Sequence, residues 1–215
     1  MEEEDESVPV AIENHSNYSR LVRVIAYCIK FRDVLKQRVR LRRAGGGHRP
    51  GPDADRSLTR DLRTAETDII KVVQRQPFKR EVTGLREGKK IPCTSALCSL
   101  DPLLDDTGLL RVGGRLAFAD LGYEQRHAII LAKVGHVTKL IIQREHVRIL
   151  HAGSESVLSA IRQKYWLFFA RNLIKGIIRK CMRCNRVSPR SSSYLMEQLP
   201  LVRVNTQGPF LNANH

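Results

Sequence analysis

His146 and His151 lie five residues apart and Cys181 and Cys184 three apart, in the order His-x4-His-x29-Cys-x2-Cys. Imidazole nitrogen and thiolate sulfur are the atoms that divalent zinc takes, and four of them complete a tetrahedron with no place left for a catalytic water. Each pair alone says little. A Cys-x2-Cys in a reducing compartment can be redox-active, metal-binding or inert, and a pair of histidines is commonly just polar. Together, in that order and around an apolar helical spacer, the four residues point to one structural Zn2+. The spacer far exceeds the roughly 12 residues of a DNA-reading zinc finger. The metal is therefore expected to close a helical bundle, not a ββα unit. Cys28, Cys93 and Cys98 are expected to be non-ligands: Cys28 lies on an apolar stripe, and Cys93-x4-Cys98 has no second His/Cys pair nearby.

The elements that must position these ligands follow from periodicity. From His136, Val137, Leu140, Ile141 and Leu150 recur at helical spacing, and "HAG" places a stop at Gly153. "SESVLSAIRQKY" continues with Ser154 as N-cap and Val157, Leu158 and Ile161 facing inward. "RNLIKGIIRKC" supplies a third helix that buries Leu173, Ile174, Ile177 and Ile178. So small a bundle usually needs a staple. Residues 136–187 are thus predicted to form a zinc-stabilised three-helix bundle, with 188–215 an extended tail.

Upstream, Tyr18–Arg43 has a helical period with Leu21, Val24, Ile25, Cys28, Phe31, Leu35 and Val39 on one face. A Gly/Pro linker over 44–56 ends it. Arg40–Arg43 reads as a solvated helix end in preference to a nuclear-import signal. Ser57 is expected to cap a second helix with the stripe Leu58, Leu62, Ala65, Ile69 and Val73, interrupted at Pro77 and followed by one short turn in "FKREVTGL". In "LLDDTGLLRVGGRL" the turn Asp105-Asp106-Thr107-Gly108 between apolar runs marks a β-hairpin, and 127–131 adds a third strand. Gly113-Gly114 lies in no dinucleotide or Walker pattern and reads as a bulge or turn. The expected fold is mainly α with a small β element. It comprises a disordered acidic tail (1–16), a helical connector (17–99), the β element (100–135), the zinc bundle and the tail.

Charge narrows the function. A net charge of +15 and a pI of about 10.1 point to a polyanionic partner. Between Lys139 and Arg203 there are 13 Lys or Arg against 3 Asp or Glu, so the zinc segment carries two-thirds of the excess. Arg162, Lys164, Arg171, Lys175, Arg179 and Arg183 lie on or beside the last two helices and are the candidate phosphate contacts. The first ten residues are acidic without an apolar h-region, and no run reaches the roughly 18–20 apolar residues that span a bilayer. The expected partner is DNA or RNA, not a membrane. The expected setting is intracellular, the nucleus ahead of the cytoplasm.

The four ligands, with "SAIRQKYW" inside their spacer, resemble the zinc-binding N-terminal domain of retroviral and retrotransposon integrases. The runs "YSRLVRVIAYCIKF", "LDPLLDDTGLLRVGGRL", "HAIIL", "REHVRILHAG" and "IRKCMRC", with the later "GPF", resemble polyproteins of the BEL/Pao long-terminal-repeat retrotransposons over residues 17–210. The resemblance implies a connector after a ribonuclease H region and the start of an integrase. It also implies a helix-turn-helix-like pair, multimer formation and a role in DNA integration. Ala128 and Ala132 stand where the family usually has proline, and Phe168 and Phe169 where polar or turn-forming residues are usual. These departures fit a relic or domesticated copy. In the family "GPF" leads into an acidic catalytic core, whereas here five residues follow it and Glu197 is the one acidic residue after Cys184. No enzymatic activity is expected. The expected function is a non-catalytic zinc- and nucleic-acid-binding module. The alternative is a protein-only scaffold that self-associates, with Phe168 and Phe169 as an exposed apolar patch.

Overall fold

The computed structural model describes residues 12–43, 58–114, 119–133, 135–189 and 198–199. The start of the acidic tail, the 44–56 linker, the Ser57 cap and most of the C-terminal tail lie outside them.

Helix α1 (Tyr18–Arg43) covers the range its period predicts. Asn17 caps it, its side-chain oxygen accepting the Arg20 amide at 3.1 Å. The buried face differs from the expected one. Tyr18, Leu21, Val22, Ala26 and Ile29 are buried, whereas Val24, Phe31, Leu35 and Val39 are exposed and Cys28 faces solvent. The helix is apolar on two sides, so periodicity cannot select the side that meets the body. Helix α2 (Leu58–Arg75) packs on α1 through Ala65, Ile69 and Ile70. Pro77 ends it, and α3 (Lys79–Arg86) follows.

Strands β1 (Leu103–Leu104), β2 (Leu110–Arg111), β3 (Ile129–Leu131) and β4 (Tyr165–Leu167) form one sheet in that order. The hairpin is the expected one. Asp105 accepts from the Thr107 hydroxyl at 2.6 Å and the Leu109 amide at 2.9 Å, and Gly108 supplies φ +81°. A Cβ on Gly113 would run into the Asp101 backbone carbonyl, and Gly114 has φ +73°. The glycine pair therefore serves close packing. A short helix α4 (Tyr123–Arg126) precedes β3.

Strand β4 is the unexpected element. It pairs in parallel with β3, Ile129 opposite Tyr165 and Leu131 opposite Leu167. Parallel strands need a long crossover, which α5 (His136–Arg148) and α6 (Ser154–Arg162) provide. Helices α7 (Ala170–Ile178) and α8 (Met182–Val187) complete residues 136–187. The three expected helices are thus present as α5–α7, joined by a strand and a further short helix, and they pack on a sheet and on α1.

One core cluster joins Tyr18 and Leu21 of α1, Ile69 of α2, Ile129 and Leu131 of β3, Leu140 of α5, Ile161 of α6 and Ile174 of α7. Ile130 points to the opposite face of the sheet, where Leu97 and Leu110 form a second cluster with Trp166 and Phe168 at its edge. Two local expectations at the ligand helix are corrected. Leu150 is not in the stripe but 88% exposed. Gly153 is no helix stop: it has φ −63° and takes the N-cap position of α6, so Ser154 lies inside the helix. Among the described residues no helix is long and apolar enough to cross a membrane.

Candidate metal centre

His146 sits on the last turn of α5 and is 3% exposed. The helix stops through two consecutive left-handed residues, Leu150 at φ 56° and His151 at φ 63°. The Leu150 amide donates to the Val147 carbonyl at 3.1 Å, and the His151 amide to the His146 carbonyl at 2.9 Å. That conformation turns His151 back over the helix end. The two imidazoles then meet edge to face, with centroids 4.7 Å apart. On the other side, Cys181 occupies the N-cap position of α8 and Cys184 lies within it. The Cys181 amide donates to Ile178 at 2.9 Å, tying the Cys-x2-Cys turn to the end of α7.

The ligand atoms converge. His151 Nδ1 lies 3.1 Å from His146 Nε2 and 3.3 Å from Cys181 Sγ. Cys184 Sγ lies 3.2 Å from His146 Nε2 and 3.8 Å from His151 Nδ1. All four ligand atoms are within 4.8 Å of one another. Zinc bonds to nitrogen and sulfur in a tetrahedron imply N–N edges of about 3.3 Å and N–S edges of about 3.6 Å. The spacing matches those edges, and the Cys2His2 donor set fits Zn2+. His146 offers Nε2 and His151 offers Nδ1, each necessarily neutral when bound. Burial, followed by the neighbouring His151, pushes the His146 pKa down, which favours that neutral form. Cys181 is held below the ordinary thiol range by the Cys184 backbone N–H, against partial desolvation, and further by the Cys184 thiol, the Arg183 backbone N–H and the Arg183 charge. Desolvation and the neighbouring Cys181 push the Cys184 thiol up. Cys28, Cys93 and Cys98 join no cluster of three or more His, Cys, Asp or Glu among the described residues.

Residues 135–190 match the family described as "Integrase zinc binding domain". Neither the curated proteins nor the solved structures searched contain a match to the chain. The integrase-type zinc domain accounts for both halves of the ligand pattern, and the region it covers is the one that α5–α8 and β4 build.

The cations on that domain are not equivalent. Arg162, Arg171, Lys175, Arg179 and Arg183 are exposed. Arg171 touches Glu155 at 3.2 Å in a solvent-exposed pair, which holds it only weakly. Lys164 is half-buried and donates to Glu66 at 2.8 Å. Phe169 is 66% exposed under the Lys133 ammonium, while Phe168 packs at the edge of the second core cluster.

Periodicity gave no sign of the polar clasp around Glu66. This carboxylate of α2 accepts from the Tyr18 hydroxyl at 3.2 Å, the Tyr165 hydroxyl at 2.8 Å and Lys164, with Arg144 at 3.5 Å. Burial alone would raise its pKa, but Lys164, then Tyr165 and Arg144, bring it below the usual value. Burial and the Glu66 charge hold the Tyr18 and Tyr165 hydroxyls well above the ordinary tyrosine range. A hollow of about 420 Å3 between the start of α1 and the end of α5 is lined by Asn17, Arg144, His146, His151 and Cys181. Three of the metal ligands therefore share this hollow with the start of α1.

Proposed function

We propose that this protein is a non-catalytic nucleic-acid-binding module in which the zinc staples a cationic surface together. The observation that carries the reading is the set of five exposed cations, Arg162, Arg171, Lys175, Arg179 and Arg183, on and beside α6–α8 next to a closed ligand set. Phosphate contacts from such residues give affinity with little sequence preference. Four protein ligands fill a zinc tetrahedron, so the metal holds α8 against the end of α5 and activates no water. The integrase type is that of the BEL/Pao retrotransposons, a reading supported by the motif runs over residues 17–210. Incubation with blunt DNA ends and magnesium or manganese is expected to leave the ends unprocessed and unjoined.

A salt titration tests the binding half. Affinity for duplex DNA should fall steeply, with a log–log slope of about −0.9 per phosphate contact. Replacing Arg162, Arg171, Lys175 and Arg179 together by alanine should flatten the slope and leave zinc content unchanged. Lys164 is left out because Glu66 already holds it. No binding at low salt, or a slope unaltered in the variant, would overturn the reading.

A further inference from the structure

Helix α1 carries an apolar ridge that the protein body does not use. Its buried residues end at Ile29, while on the opposite side Val24, Tyr27, Phe31, Leu35 and Val39 are 37%, 62%, 65%, 42% and 48% exposed. The last four are spaced four apart, so they form one continuous stripe along the helix. A single exposed apolar side chain is ordinary, whereas a contiguous row marks a contact surface. The same stretch is strongly basic: residues 30–43 hold seven Lys or Arg against Asp33 alone, and Asp33 lies 3.3 Å from Arg32.

Charge and apolarity together select the occupant. Nucleic acid would neutralise the cations but leave Leu35 and Val39 without an apolar partner. A second copy would set this row of cations against an identical one. An acidic amphipathic helix satisfies both features, with apolar side chains on the ridge and carboxylates opposite the flanking cations. We propose that the exposed face of α1 from Val24 to Val39 docks an acidic amphipathic helix of a partner protein. This surface is distinct from the cations of α6–α8 and does not depend on their role.

The test uses the whole zinc-loaded chain and two fluorescein-labelled synthetic peptides of about four helical turns. One has leucines at helical spacing among glutamates; the other has the same composition scrambled. The amphipathic peptide should bind at least about tenfold tighter, a preference of about 1.4 kcal/mol. The triple variant Tyr27→Gln, Phe31→Gln, Leu35→Gln should erase that preference while keeping helical circular dichroism, zinc content and affinity for short duplex DNA. Equal binding of the two peptides to the native chain, or an unchanged preference in the variant, would overturn the proposal. So would loss of DNA affinity in the variant, which would make nucleic acid the occupant. A dimer in sedimentation that the variant abolishes would make it a second copy. About tenfold tighter peptide binding after deletion of residues 1–11 would make it the chain's own acidic start.

Discussion

Cys181 joins the end of α7 through its amide and the ligand cluster through its thiol, so its replacement by serine removes one corner of the tetrahedron and keeps the amide donor. Cys181→Ser is expected to lose the zinc and much of the helical circular dichroism, because metal binding supplies about 10–16 kcal/mol of apparent free energy in zinc-finger peptides. Elemental analysis should give one zinc per native chain and one in a Cys93→Ser, Cys98→Ser variant. Full zinc and an unaltered melt in Cys181→Ser would reject the site. Leu150 tests the turn that presents His151. It holds φ 56° with a side chain that is 88% exposed, so it carries left-handed strain of about 1–2 kcal/mol with little burial to offset it. Leu150→Gly should raise stability by about 1 kcal/mol in urea unfolding and keep the metal. A destabilised variant would show that Leu150 makes a contact beyond its conformation.

At the scale of elements, strands of two or three residues cannot hold themselves together. Gln74, near the end of α2, supplies what the ladders lack. Its amide nitrogen donates to the Leu110 carbonyl at 2.9 Å and the Ile130 carbonyl at 2.6 Å, and its oxygen accepts the Leu110 amide at 2.9 Å. One buried side chain thus ties α2 to β2 and β3. Gln74→Leu keeps similar volume but strips three buried backbone groups of partners, each worth about 1–3 kcal/mol when left unsatisfied. A loss of about 3 kcal/mol is expected, read as a lower urea midpoint. An unchanged midpoint would mean that the sheet satisfies itself by relaxing.

Across the whole molecule, Glu66 clasps the connector helices to the zinc region, since its partners come from α1, α5 and the approach to β4. Its pKa is depressed in the folded state. Its contribution is therefore present above the carboxylate's unfolded pKa and lost as pH falls through the lower folded value. Glu66→Gln leaves Lys164 and Arg144 facing a neutral group and should cost about 2 kcal/mol at neutral pH. Thermal melts of native and variant proteins should converge as the solution is acidified. A gap that persists in acid would assign the loss to packing instead of charge.

The metal ligands and the longer elements were set by sequence alone because their information is local. Cys181 and Cys184 share one turn, His146 and His151 share one helix end, α1 and α2 repeat apolar residues at helical spacing, and Asp105 to Gly108 carry their own turn chemistry. Only the tertiary structure decided what depends on distant partners. It set which apolar side of α1 is buried, because the choice belongs to α2 and α5. It made a strand of Tyr165–Leu167, since three residues have no usable period and β3 alone supplies their edge. It sent Leu150 outward, because bringing His151 back to His146 requires two left-handed residues at that point. It also took Lys164 from the exposed cations, for Glu66, 98 residues away along the chain, is placed beside it only by the packing of α2 against β4.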